Sequence, residues 1–284
     1  MSELNLDLLN QWLGKEQVIE DVISAEIANR MNVTLNREPN FKNGDVLPPA
    51  WHWMYHHAPE RAENLGVEGH AKLGLFMPPV EYSLGEPPLR MWAGGSFVFD
   101  RPILIGQRVA KRSTIKSITP KTGRSGRMCF VIVEHELSVD GERCLLEDQT
   151  IVYREPSKTK SRVVQAQAAR DDGEFSAEYT PDPIMLFRYS ALTFNGHRIH
   201  YDVDFCRNHE GYPDLVVHGP LTATLILDLY HHQFSDMRIA AFSYRGRSPL
   251  FNPNPFAVHG RADGNAWATN HEGGLAMSAQ IEFQ

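Results

Sequence analysis

Between residues 188 and 228 the chain places a carboxamide, Asn195, five positions ahead of an imidazole, His200, and follows them with Gly219 at the head of an apolar run. A neutral imidazole accepts protons near pH 7 because its ordinary pKa lies in that range. A carboxamide can orient a water through its donors and its acceptor without changing charge. Gly219-Pro220 reads as a helix start, since proline suits the first helical turn. The free amides and positive dipole end of such a start suit a carbonyl oxygen gaining negative charge, and glycine lets a ligand approach the backbone. These are the parts needed to place a water, move a proton and hold an oxyanion. The plainer alternative makes Asn195 a helix cap, His200 a satisfied interior histidine and Gly219 a packing residue. No nucleotide cradle, nucleophile elbow or cysteine cluster competes elsewhere in the chain.

The elements that must carry these groups read as two halves. Val18, Ile19, Val22, Ile23, Ile27 and Met31 recur at helical spacing, which predicts an amphipathic helix over 16–31. Residues 35–90, with Pro48-Pro49, Trp51-His52-Trp53, Pro78-Pro79 and Pro87-Pro88, cannot be continuous helix and read as a long ordered excursion. Strands are expected near 96–99, 108–118, 128–137 and 145–153, with a turn-rich connection over 119–126. Composition shifts at 155–182, polar and basic and then small and acidic, as in a linker. Beyond it lie the Asn195/His200 segment, a helix near 220–233 and strands at 237–247, 256–263, 266–270 and 275–283. Each half thus combines a helix with several antiparallel strands, a duplicated α+β unit. The division expected is an N-terminal unit over 1–155, a linker over 156–180 and a catalytic unit over 181–284.

The segment Phe194-Asn195-Gly196-His197-Arg198-Ile199-His200-Tyr201-Asp202, with Val217-His218-Gly219-Pro220-Leu221 after it, resembles the hydratase motif of the MaoC-like, (R)-specific enoyl-CoA hydratases. Residues 90–95 and 99–106 are similar to the degenerate N-terminal unit of the two-unit members, and the nearest subgroup is the bacterial itaconyl-CoA and mesaconyl-C4-CoA hydratases. That resemblance implies an α+β double hot-dog fold, with a long helix wrapped by antiparallel sheet in each half. It implies catalysis in the C-terminal half and no metal or organic cofactor. The implied activity is that of a hydro-lyase, reversibly adding water to a short, dicarboxylic α,β-unsaturated acyl-CoA. Three positions depart from the family: Asn195 stands where the wider family has an aspartate, and His197 and Arg198 replace an asparagine and a proline. A carboxamide cannot trade protons as a carboxylic acid does. His200 is therefore assigned the proton transfer, Asn195 the orientation of water and the Gly219 N–H the thioester oxygen. Two rivals use the same scaffold: an acyl-CoA thioesterase, and a non-catalytic acyl-thioester binding protein in which Asn195 marks a lost acid.

For ligand contacts the candidates are Arg90, Trp92, His197, Arg198, His218, Arg245 and Arg247, with Arg261 and the Lys158/Lys160/Arg162 cluster as further partners for the phosphates of coenzyme A. Residues 51–57, with Arg90 and Trp92, either line the acyl pocket or form an aromatic core patch. A second substrate carboxylate needs a cation in that wall, and Arg90 is the candidate. The pairs His56-His57 and His231-His232 lack further ligands at metal spacing. A net charge of −7 argues against a nucleic-acid partner. Three scattered cysteines read as reduced thiols, and neither a signal peptide nor a membrane span is evident, so a cytoplasmic protein is expected. The resemblance leaves room for a homodimer.

Overall fold

The computed structural model describes residues 6–72, 89–123, 126–155 and 165–284. Among these described residues ten strands form one antiparallel sheet, in the order β1-β3-β4-β5-β2-β7-β10-β9-β8-β6. β1 (Glu16–Val22), β2 (Leu89–Phe99), β3 (Arg108–Gly123), β4 (Gly126–Val139) and β5 (Glu142–Arg154) make one side of it. β6 (Phe175–Tyr179), β7 (Ile239–Gly246), β8 (Phe256–Gly260), β9 (Asn265–Asn270) and β10 (Leu275–Phe283) make the other. The two sides join where β2 pairs with β7, from Gly94 opposite Arg245 to Val98 opposite Ala241. The expected strands are all present and mostly longer. β3 and β4 pair as far as Gly123 opposite Gly126, so strand replaces most of the expected loop at 119–126. The stretch read as linker ends in β6, an edge strand paired with β8.

α5 (Gly219–Gln233) is the helix that the C-terminal side wraps. Pro220 to Asp228 and Tyr230 are all buried in it, which is why the run is apolar on every face. Burying a leucine side chain stabilises by about 1.5–3 kcal/mol, and Leu221, Leu225 and Leu227 are each fully buried here. The buried Asp228 of this helix is paired with Arg37 from the other half. α1 (Leu6–Asn10), α2 (Ala25–Thr34), α3 (Pro183–Leu192) and the short α4 (Val203–Phe205) are the other α-helices among the described residues. α3 was not expected, although Asp182-Pro183 is a helix start: the Asp182 carboxylate accepts from Ile184 N and Met185 N.

The expected helix over 16–31 is formed only in its second part, from Ala25. Residues 16–22 are the strand β1, paired with β3 from Glu16–Thr114 to Val22–Arg108, and helix begins only after Ser24, whose side chain accepts from Glu26 N. The β-branched Val18, Ile19 and Val22 suit a strand once β3 offers an open edge, and Ser24 then supplies the cap. Among the described residues the N-terminal side therefore has no long central helix. Its interior is filled by α2 and by a 3-10 turn at Trp51–Met54, where Trp51, His52, Met54 and Tyr55 are buried. Residues 51–57 thus form mainly core, not cavity wall. Pro78-Pro79 and Pro87-Pro88 lie outside the described residues, as do Lys158, Lys160 and Arg162. No helix among the described residues is long and apolar enough to cross a membrane.

Candidate active site

A cavity of about 300 Å³ opens where β2 and β7 meet the head of α5. Asn195, His200 and Gly219 all line it, as do Arg90, Trp92, His197 and Arg247. The three groups assigned to catalysis from the sequence are therefore brought to one space.

His200 ends a 3-10 turn, Arg198–His200, that follows α3. Its Nδ1 lies 2.8 Å from the Val216 carbonyl. A carbonyl only accepts, so the hydrogen of the neutral ring resides on Nδ1 and Nε2 is left as the basic nitrogen. Burial pushes the imidazole pKa down to about 4, against the upward pull of the Val216 hydrogen bond, so the ring is neutral throughout the physiological range. His218 stacks on it, with ring centroids 3.6 Å apart and planes 17° apart. Read from the sequence as a ligand contact, His218 instead lies fully buried behind His200, with Nε2 2.8 Å from the Ser190 hydroxyl of α3. Burial, followed by the neighbouring His200 and His197, holds its pKa well below the ordinary histidine value. Ser190 and His218 thus fix the plane of the His200 ring.

Asn195 follows Phe194, whose φ of 49° is unusual for a large side chain. The His197 amide donates to Asn195 Oδ1 at 3.0 Å. A backbone N–H meets the carboxamide oxygen and not its nitrogen, so Asn195 has its acceptor engaged and offers the cavity its NH₂. It can hold a water by donating to it. It cannot act as a base.

At Gly219 the backbone amide belongs to the opening turn of α5, where no intrahelical acceptor exists and no side chain caps the helix. A Cβ at this position would meet nothing within 4 Å. The space above the amide is open, as an oxyanion donor requires.

A second loop roofs this arrangement. Arg198 N donates to the Glu68 carbonyl, and Arg198 Nη1 to the Val67 carbonyl. Gly69, at φ +95°, passes so close that a Cβ would lie 1.9 Å from the Gly196 carbonyl oxygen. His70 then lies against His197, with centroids 4.5 Å apart.

The remaining sequence candidates separate by position. Arg198 is engaged by Asp202, at 2.7 Å, and packs over Phe205, which makes it a brace of the loop. Arg245 is exposed and outside the cavity lining, because alternation along β7 turns Tyr244 inward and Arg245 outward. Arg261 is committed to Asp172, Glu174 and Asp263. Arg247 remains, exposed at the cavity margin, with Nε donating to Ser278 Oγ at 3.1 Å. His70, Gln149, Tyr244 and Ser190 were missed. Tyr244 was legible from strand alternation alone, whereas His70 and Ser190 carry no local signal. Among the described residues no group of three or more histidine, cysteine or acidic side chains is placed to hold a metal ion.

Comparisons with known proteins bear on the family and the fold. The profile of hydroxyacyl-thioester dehydratase type 2 matches residues 50–252. The mesaconyl-C(4)-CoA hydratase of Chloroflexus aurantiacus is 38% identical over 276 residues, covering 96% of each chain. A MaoC-like dehydratase from Phytophthora capsici superposes with a TM-score of 0.67 at 12% identity, covering 99% of both chains. A Mycobacterium tuberculosis protein described as having a double hot-dog fold superposes with a TM-score of 0.55 at 12% identity, over 95% of this chain and 96% of that one. The fold is the double hot-dog.

Proposed function

The chain belongs to the hydroxyacyl-thioester dehydratase type 2 family of MaoC-like hydratases, and on that premise we propose that it reversibly hydrates a short α,β-unsaturated acyl-CoA carrying a second carboxylate. The observation that carries the reading is the meeting of His200 Nε2, the Asn195 amide and the open Gly219 N–H on one cavity.

The thioester oxygen takes the Gly219 N–H, which draws electron density from the double bond. Asn195 donates to a water and so directs one of its hydrogens toward His200. His200 Nε2 takes that proton as the oxygen bonds to the β-carbon, and an enolate forms with its charge on the thioester oxygen. The imidazolium then returns the proton to the α-carbon, so that one water is added and the base is regenerated. The low proton affinity of the buried ring makes its conjugate acid a ready donor for this last step. A base and an oxyanion donor of this kind contribute roughly 10²–10⁴-fold and 10²–10³-fold respectively. Within the reading, the unit over 1–155 shapes the acyl pocket and the unit over 181–284 carries the chemistry. Coenzyme A places its phosphates at the margin marked by Arg247.

The test is a panel of unsaturated acyl-CoAs, including crotonyl-, itaconyl- and mesaconyl-C4-CoA, followed for a mass gain of one water and for thiol release. Hydration of a dicarboxylic member without free thiol supports the proposal. Thiol release would make the protein a thioesterase, and an unchanged panel would make it a binding protein.

A further inference from the structure

We infer that the seam between the two halves, away from the hydratase motif, forms a carboxylate subsite in which Arg90, Trp92 and Tyr244 receive the free acid of the acyl group. The inference rests on the function proposed above and assigns the part of the molecule that reads the substrate's second charge.

Arg90 is the first observation. It lines the cavity, its Nη1 lies 3.3 and 3.5 Å from the ring nitrogens of His70, and its guanidinium also reaches the Tyr153 hydroxyl, a neutral group. Burial, and then the Arg90 charge, hold His70 well below the ordinary histidine pKa, so its ring is neutral and supplies no counter-charge. Among the described residues no carboxylate pairs with Arg90. A guanidinium partly withdrawn from water without an anion is unfavourable, and an arriving carboxylate offsets that cost in a fork geometry.

The second observation is independent of charge. Arg90 Nε, Trp92 Nε1 and the Tyr244 hydroxyl are all buried and none of them is in a well-formed hydrogen bond among the described residues, although the Trp92 indole and the Tyr244 hydroxyl lie within polar reach of each other. Tryptophan and tyrosine ordinarily find a partner when buried. Three buried donors without a well-formed acceptor, in the wall of a single cavity, point to an acceptor-rich ligand group.

Backbone geometry explains why they gather. Arg90 and Trp92 are two apart on β2 and share one face. The pairing of β2 with β5 then shifts register between Trp92 and Gly94, an irregularity of the kind that re-aims side chains beside active sites. Gly95 sits opposite Tyr244, and a Cβ there would lie 3.0 Å from the tyrosine hydroxyl.

The wall is braced from the N-terminal core. Trp53 packs edge-on against Trp92, with centroids 5.1 Å apart, and its Nε1 donates to Glu147 Oε1 at 2.9 Å. Glu147 Oε2 lies 2.9 Å from His52 Nε2. Burial alone pushes the Glu147 carboxyl up, but His52 brings it down to about 2, so it stays ionised and holds Trp53 in place. The buried His52 and the half-buried Trp53 thus support the cavity from behind.

A carboxylate at this seam, with the thioester at Gly219, also selects between the two thioester isomers of an unsymmetrical diacid. The test compares two saturated ligands that cannot be hydrated, succinyl-CoA and butyryl-CoA, which differ in the terminal carboxylate. The unaltered protein is expected to bind succinyl-CoA more tightly. Arg90→Gln should shrink that preference by roughly ten- to a hundredfold, the span of a charged hydrogen bond. Arg90→Lys should keep part of it, because the charge remains and the fork is lost. Trp92→Phe, which removes one donor and little volume, should lower it severalfold even if Arg90→Gln fails to fold. A preference unchanged in both Arg90→Lys and Trp92→Phe, or an equal loss for both ligands, overturns the inference. Failure of the hydratase reading would show separately, as no water added to mesaconyl-C4-CoA by the unaltered protein.

Discussion

Replacing Gly219 with alanine separates the fold from the chemistry more cleanly than any other single change. Its φ is not in the left-handed region, so an alanine is not strained by the backbone. The added Cβ meets nothing within 4 Å, so no neighbour has to move. Alanine in place of glycine in a helix gains up to about 1 kcal/mol. For a chain of this size that corresponds to a melting temperature unchanged or higher by roughly 2–4 °C. The chemistry should suffer in the opposite sense. The methyl group would occupy the open space into which the thioester oxygen must come to reach the amide, and loss of one oxyanion donor typically costs about 10²–10³ in turnover. Two measurements on one preparation decide the matter: a thermal melt, and the loss of enoyl-thioester absorbance under saturating substrate. A variant that folds and turns over at the unaltered rate would refute the oxyanion assignment. One that melts far below the unaltered protein would show that packing, and not ligand approach, demands glycine here.

His200→Gln should retain the fold and lose roughly 10²–10⁴ of the hydration rate, measured by single turnover; full activity would remove His200 from the mechanism. The acid limb of kcat/KM in the free enzyme should fall near pH 4, the value to which burial lowers His200, and a limb near the ordinary 6.5 would contradict that environment. Stability should follow the same sign. Burial lowers His56, His135 and His200 to about 4, so the unfolded chain takes protons first as pH drops. The stabilisation is complete above pH 6.5 and is lost as pH falls through about 4, by up to roughly 3 kcal/mol per histidine. Melting temperatures flat between pH 7 and 4.5 would oppose this. Asn195→Asp should still fold, because a carboxylate oxygen also accepts the His197 amide, but the new charge near His200 should move the acid limb upward. Loss of the fold would instead make Asn195 a structural cap.

Much of the architecture was legible from local pattern. Alternation and β-branched residues marked strands of both halves, and the continuous apolarity of 221–229 marked the helix that the sheet encloses. Where two elements share one pattern, the sequence was silent. Val18, Ile19, Val22 and Ile23 fit helical spacing as well as a strand, and the free edge of β3 decided between them. Asp182-Pro183 marked the start of α3 and went unread.

For the site, the residue types and spacing of Asn195, His200 and Gly219 already specified a proton acceptor, an amide and a helix start, because each of those properties belongs to a residue and its immediate neighbours. The tertiary structure alone decided the partners. It assigned the Asn195 oxygen to the His197 amide, the His200 Nδ1 hydrogen to Val216, and a place behind the His200 ring to His218. It also turned Arg245 to solvent, Arg198 to Asp202 and Arg90 to the cavity. Those outcomes depend on which segments meet when the sheet closes. Spacing along the chain carries no record of that meeting, since hydrogen-bond direction, burial and the loss of water are properties of the folded neighbourhood.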